Sequence, residues 1–336
     1  MKKALAVAVL AAVLVFAVAG CRQKVESTGK RRIAVIPKGT THIFWKSIHA
    51  GAVKAEQEFK NLGVEVIWKG PLKEDDRESQ IRVMEGFITG RVSAIVLAPL
   101  DDEALRGSVE EAVRSGIPVV IIDSDLKSEK YVSFVATDNY IGGRKGGKRL
   151  AEILGGKGKV IMLRYQVGSA STTNREKGFL DVLKEEYPQI QVVSANQYGG
   201  ATTESAYEAG ENLLAPLRTP DGRLTIDGIF CPNESTTFGM LRALQDGGLA
   251  GKVKYVGFDS SENLVEALRK GQIHGLVLQD PINMGYLGVK TMVEHLQGKK
   301  VEKRIDTGSE VATPENMNEP RMRSLLEPDF KKWLNE

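Results

Sequence analysis

From residue 32 onward one rhythm repeats: a short apolar run rich in Val and Ile, then an amphipathic stretch of helical length, then another short run. The runs fall at 32–37, 64–68, 94–98, 118–122, 131–135, 159–164, 190–194, 226–230, 253–257 and 274–278. Helical stretches occupy 43–62, 76–90, 103–115, 139–154, 174–186, 202–215, 235–247, 261–270 and 282–297. Apolar runs separated by helices imply parallel strands covered on both faces. The chain of 336 residues holds too many such strands for one compact unit. Two similar α/β halves, each a doubly wound parallel sheet, are the economical solution. No short-period repeat competes with this reading.

The N-terminus has a different character. Met1-Lys2-Lys3 precedes 16 unbroken apolar residues, Ala4 to Ala19, and polarity returns after Gly20-Cys21. A charged start, a short apolar run and a small-residue site read as a secretory signal. The run is shorter than the ~20 residues of a spanning helix. Cys21, directly after Ala-Gly, resembles the bacterial lipoprotein box. That resemblance implies a signal peptide at 1–20, lipid modification of Cys21, a polar tether at 21–30 and a lipid-anchored, periplasmic or otherwise extracytoplasmic protein. A cleaved leader with an incidental cysteine, or an uncleaved anchor, remain the other readings. Cys231 is then the one other thiol; at the end of an apolar run it reads as a small buried hydrophobe.

Lys and Arg number 46 against 43 Asp and Glu, and removing Lys2 and Lys3 leaves the remainder at +1. Without a basic excess or a like-charge block, nothing points to nucleic acid. Four His and two Cys show no metal-ligand spacing, so neither a metal nor a cofactor is expected. Gly155 to Lys159 precedes a strand, and Gly142 to Gly147 lies inside a helical stretch where small residues permit close packing. Neither is a phosphate loop, and Gly168-Ser169-Ala170-Ser171 is not a nucleophile elbow.

In open α/β sheets, ligands bind beyond the carboxyl ends of the strands. Polar side chains gather there: Lys38 and His42, then Phe44-Trp45, after the first run; Asp101, Asp123 and Asp125; Arg164-Tyr165, then Asn174-Arg175; Asn233-Glu234; Asp259; and Gln279-Asp280. Asp, Asn, Arg and Gln offer paired donors or acceptors, which a polyhydroxylated ligand needs because each hydroxyl donates and accepts. Phe44 and Trp45 offer a surface for its C–H faces. Taken singly, Asp101, Asp123, Asn233 and Asp259 read as helix caps or Asx-turn residues. Arg175 alone reads as a surface ion pair. The whole set at one edge is what caps do not predict. Asp123 and Asp259 also leave open a carboxylate pair for glycoside hydrolysis.

Seven stretches carry a family resemblance: 33–52, 117–125, 135–147, 174–179, 228–244, 255–261 and 276–289. In this order they resemble type I periplasmic substrate-binding proteins of ABC sugar importers, the ribose/galactose group above all. The resemblance implies two Rossmann-like lobes joined by three hinge crossings, near 136–139, 259–261 and 279–282. The N-terminal lobe is then 31–137 plus 280–307, the C-terminal lobe 138–279 plus 308–325, and 326–336 a tail. It further implies a non-catalytic, monomeric protein that captures a pentose or hexose by hinge closure for an ABC permease and its ATPase. A furanosyl signal or polyol presented to a membrane sensor is the alternative. A transcription regulator of the same fold is disfavoured by the leader and by the lack of an N-terminal basic helix-turn-helix. On the family pattern the ligand residues are Phe44 and Trp45 opening the first helix, Asp123, Arg175, Tyr198 after the following strand, Asn233, Asp259 and Gln279. Ser124 stands where the family often has Arg, and Lys38 and His42 stand near positions often filled by small or amide residues. These departures point away from ribose itself and leave a sugar-like ligand in place.

Overall fold

The computed structural model describes residues 29–334. The predicted signal peptide, Cys21 and most of the tether lie outside them. The chain runs β1 (Arg31–Ile36), α1 (Ile43–Glu58), β2 (Val64–Trp68), α2 (Arg77–Thr89), β3 (Ala94–Leu97), α3 (Arg106–Arg114), β4 (Val119–Ile122) and β5 (Ser133–Ala136). It continues through α4 (Asn139–Ile153), β6 (Lys157–Arg164), α5 (Ala170–Glu186), β7 (Gln189–Tyr198), α6 (Thr203–Leu214), β8 (Gly228–Phe230), α7 (Glu234–Asp246), β9 (Lys254–Phe258), α8 (Glu262–Arg269) and β10 (Gly275–Leu278). Last come α9 (Pro281–Leu296), β11 (Arg304–Asp306), β12 (Glu310–Ala312), α10 (Pro320–Leu326) and α11 (Lys331–Leu334).

Two sheets form among the described residues, with strand orders β11-β5-β4-β3-β1-β2 and β12-β10-β9-β8-β6-β7. The two orders superpose strand for strand, so each lobe is a copy of the other's topology. All pairings are parallel except β10 with β12. Each sheet is buried on both faces: Ile33, Val35, Val96 and Val120 face one apolar cluster while Ala34, Ile95, Leu97 and Ile121 face another. The second sheet divides likewise, with Ile161 and Ile229 on one side and Val160, Met162 and Phe230 on the other. This two-sided burial is why the strands read as unbroken apolar runs. Helix starts are set locally. Asp76, Asp138, Asn233 and Asp280 each accept a backbone N–H three residues on, and Pro281 occupies the first turn of α9.

The chain passes between lobes at β5 to α4, at β10 to α9, and at β11 to β12. The first and third passages lie together: the Thr137 hydroxyl donates to the Gly308 carbonyl (3.1 Å), and Asp306 Oδ1 accepts the backbone N–H groups of Asp138 (2.9 Å) and Gly308 (2.8 Å). The expected crossing at 259–261 is therefore corrected. The chain stays in the C-terminal lobe there, because Leu264, Val265 and Leu268 of α8 pack back into that lobe's core. The crossing lies instead at 307–309, between two three-residue strands. Beyond α10, whose Met322, Leu325 and Leu326 join the C-terminal core, α11 packs on α1 of the other lobe.

The helix entering each lobe from the other packs against the helix that follows that lobe's first strand. In the N-terminal lobe α9 lies on α1, and a Cβ at Gly51 or Gly285 would collide with the carbonyl of Ile282 or Ile48. In the C-terminal lobe α4 lies on α5, with Gly143 against the Arg175 carbonyl and Gly178 against that of Tyr140. Alanine is intrinsically the better helix former by ~1 kcal/mol. Here the obstacle is backbone, which cannot rotate away, so overpacking decides the sign. Gly285→Ala is expected to lower stability by about 1–3 kcal/mol in urea denaturation; equal or higher stability would contradict this packing.

Candidate functional site

Both strand orders reverse direction beside the first strand of their lobe, and the crevice outside the carboxyl ends there is where such sheets take ligands. A cavity between the lobes occupies that place. Lys38, His42, Phe44, Trp45, Glu74 and Asp123 line it from the N-terminal lobe. Tyr165, Ser171, Thr172, Arg175, Asn233, Glu234 and Asp259 line it from the other, and Gln279 reaches it from the second crossing. Of the ten ligand residues expected from the sequence, Tyr198 alone does not line this cavity.

Asp123 and Asp259 hold equivalent positions, one residue past β4 and β9. Both adopt the left-handed backbone region, with φ of 61° and 65°. Asp tolerates that region better than most side chains, and a residue held there turns the chain sharply off the strand end. Arg175 lies between the two carboxylates, at 4.0 Å from Asp123 Oδ1 and 3.7 Å from Asp259 Oδ2. Its orientation comes from elsewhere: Nε donates to Asn139 Oδ1 (2.7 Å), one terminal nitrogen donates to the Pro232 carbonyl (3.0 Å), and the guanidinium stacks on Phe258 at 4.0 Å. The carboxylates neutralise Arg175 without direct hydrogen bonds, so further donors of the fork remain available. Burial raises the Asp259 pKa, opposed by the charge of Arg175 and a hydrogen bond from Gln279.

Gln279 donates from Nε2 to Asp259 Oδ1 at 2.8 Å, while its Oε1 is buried with no partner. A buried acceptor left unmade costs about 1–3 kcal/mol, so this oxygen marks a place for a ligand donor. Asn233 caps α7, accepting from the Thr236 hydroxyl (2.6 Å), and also faces the cavity, so capping and lining are one role here. Phe44 and Trp45 meet edge to face at 5.0 Å and form the aromatic wall.

Lys38 differs from the other cavity residues. Its ammonium lies 2.8 Å from Asp123 Oδ2, 3.0 Å from Ser171 Oγ and 3.5 Å from Ser169 Oγ. An ammonium has three hydrogens, and all three have protein acceptors. Lys38 thus ties the lobes together.

Tyr198 is corrected. It ends β7, an edge strand, and the residue is 42% exposed, with the Arg164 guanidinium over its ring at 4.9 Å. Two register shifts against β6 extend β7 to residue 198, and this end of the edge strand does not reach the cavity lining. Asp101 is a turn residue: Oδ1 accepts the N–H groups of Glu103 (3.0 Å) and Ala104 (2.9 Å). Cys231 is buried, and burial pushes its thiol up to about 12. Among the described residues no cluster of His, Cys, Asp and Glu is arranged to hold a metal ion.

The sequence reading missed Glu74. It lies in the loop after β2, several residues beyond the strand end. Its Oε1 accepts from Trp45 Nε1 (2.8 Å) and pairs with His42 Nδ1 (2.6 Å), and its Oε2 accepts from the Tyr165 hydroxyl (2.7 Å). Gly39 permits this placement, since a Cβ there would press on Glu74 Cγ at 2.9 Å. Burial would raise the Glu74 pKa, but the His42 charge overrides it and holds the carboxyl at about 2. Burial would lower that of His42, but Glu74 overrides it and raises the imidazole to about 9. Glu234 has no such partner. Burial pushes it up to about 7, opposed by His42, and its Oε2 accepts only a long bond from the Phe44 N–H (3.4 Å).

The pair predicts a pH window. His42 rises from 6.5 to about 9 on folding, so its contribution is full below 6.5 and is lost as pH climbs through 9. Glu74 falls from 4.5 to about 2, so its contribution is full above 4.5 and is lost toward pH 2. The stability difference between wild type and His42→Gln, read by urea denaturation, should be largest at pH 5–6 and shrink by pH 9.5. A difference that is flat or grows with pH would contradict the ion pair.

Comparison with known proteins agrees with this architecture. Residues 33–300 match the family model described as a periplasmic binding protein domain. The D-ribose/D-allose-binding protein of Pseudomonas aeruginosa is 31% identical over 290 residues, covering 84% of this chain and 87% of that one. A carbohydrate transporter solute-binding protein of Agrobacterium radiobacter, solved with D-arabinose, is 35% identical with a TM-score of 0.82, covering 88% of this chain and 99% of that one. An ABC transporter solute-binding protein of Agrobacterium vitis, solved with D-fucose, is 34% identical with a TM-score of 0.82 over the same shares. Two parallel-sheet lobes, three passages between them and one polar cavity at their facing edges have the same explanation as these matches: the chain belongs to the periplasmic binding protein family.

Proposed function

We propose that this protein captures a monosaccharide, a pentose or a hexose, between its lobes and delivers it chemically unaltered to an ABC permease driven by an ATPase. The observation that carries this reading is the buried, unpartnered Oε1 of Gln279, a residue of a cavity lined with donors and acceptors from both lobes. A hydroxyl donating to that oxygen can accept from Arg175 in the same site, and a sugar presents several hydroxyls at once. The edge-to-face aromatics suit its C–H faces. Relatives that bind ribose or allose, or were solved with arabinose or fucose, support the same ligand class. Because the ligand touches both lobes, it binds the closed arrangement better and draws the population there. On this reading the mature protein is a monomer held at the membrane through lipid on Cys21.

A thermal-shift panel of pentoses, hexoses, polyols and inositols identifies the ligand, since a tight one raises the melting temperature by linkage. With that sugar, Arg175→Ala and Asp259→Ala are each expected to weaken binding at least tenfold by calorimetry, about 1.4 kcal/mol, because each leaves buried partners unpaired. Wild-type affinity in both variants would overturn the site, and a panel without a single shift would overturn the ligand class.

A further inference from the structure

The Glu74 carboxylate bridges the two lobes. Its N-terminal-lobe partners, His42 and Trp45, stand in the wall of the cavity. Its C-terminal-lobe partner is the hydroxyl of Tyr165, one residue past β6, and the neighbouring Gln166 donates from Nε2 to the Glu74 backbone carbonyl (2.9 Å). Trp45 and Tyr165 are buried and the His42 side chain is 16% exposed, so the phenol has little water to compete for the carboxylate.

We propose that Glu74 is a positioning residue and Tyr165 its switchable partner: the Tyr165–Glu74 hydrogen bond forms on closure, latches the lobes and holds the His42–Trp45 wall against the ligand. This rests on the sugar-capture reading and extends it to the control of release. The local geometry favours the latch. Gly39 lets the Glu74 side chain lie flat on the β1–α1 loop, and Thr40 holds the same loop by donating to the Leu72 carbonyl from its backbone (3.4 Å) and to that of Pro71 from its hydroxyl (3.4 Å). The carboxylate is therefore in place before the lobes meet, and closure has only to bring the phenol. Its charge strengthens the bond, since hydrogen bonds to ionised acceptors are about twice as strong as neutral ones. A latch made only in the shut state slows opening and leaves encounter unaffected, so it acts on release.

The test is a double-mutant cycle on Tyr165→Phe and Glu74→Gln, with thermal melts to verify folding and stopped-flow rates for D-arabinose, D-ribose or whichever panel sugar binds. Tyr165→Phe keeps the ring and removes only the hydroxyl. Each variant should release the sugar about tenfold faster with association within twofold of wild type, and the double variant should be no faster than the worse single. Release rates that multiply in the double variant, or a change confined to association, would overturn the latch. If no sugar binds the wild type, the transport reading fails, and the latch is read without sugar from spin labels on α2 and α6. Tyr165→Phe should then shift the interlobe distance toward longer values, and an unchanged distribution would overturn it.

Discussion

The cleft is organised around a buried guanidinium. Arg175 comes from a C-terminal-lobe helix, yet one of its two counter-charges, Asp123, belongs to the N-terminal lobe. A buried cation with one carboxylate removed is expensive, by several kcal/mol. Drawing the lobes apart moves Asp123 away and leaves Asp259 as the remaining charge partner. Water can solvate the exposed fork in an open cleft, but a shut one needs polar atoms in its place. A sugar's hydroxyls supply them. The same residue that makes an empty shut cleft poorly satisfied makes an occupied one fully satisfied, and this difference is what a ligand needs in order to shift a hinge.

The lobes' shared topology explains why such a cleft can be built twice over. The two strand-end aspartates occupy matching positions with matching left-handed backbones, so each lobe aims one carboxylate at the midline. The helix packed behind each lobe's first strand is pinned by a reciprocal pair of glycines against the helix that has just crossed. Each lobe is thus tightly packed within itself, and at the passages between them Thr137, Asp138, Asp306 and Gly308 are joined by hydrogen bonds.

Much of this was legible in the sequence, for a physical reason. Strands buried on both faces must be apolar throughout, so a polar residue just past such a run marks the sheet's edge; Asp123, Asn233, Asp259 and Gln279 were found that way. Glu74 escaped because it follows β2 by several residues in a loop of mixed charge, and its partners His42 and Tyr165 are brought to it only by tertiary structure. Tyr198 misled because residues 195–198 have no apolar run to announce strand, so the continuation of β7 along the sheet edge was invisible. Periodicity does not announce the third crossing, since β11 and β12 have three residues each and are partly exposed; the lobe boundary at 307/308 came from the family resemblance alone, which also misplaced a crossing at 259–261.

Charge balance says what kind of molecule the cleft accommodates. Its basic side chains are Lys38, Arg175 and His42, the last raised to about 9; its acids are Asp123, Asp259, Glu74 and Glu234, with Glu74 held at about 2 and Glu234 pushed up to about 7. Lys38 answers Asp123, His42 answers Glu74, and Arg175 lies near both Asp123 and Asp259. An anionic ligand would have to displace one of these carboxylates, and a cationic one would have to compete with a buried ammonium or guanidinium. Either exchange breaks a buried pair and leaves a charge uncompensated. A neutral ligand breaks none, and with Glu234 protonated the fourth acid becomes another donor for its oxygens. The arrangement that closes the lobes therefore also selects by charge, and a polyhydroxylated neutral molecule meets both requirements.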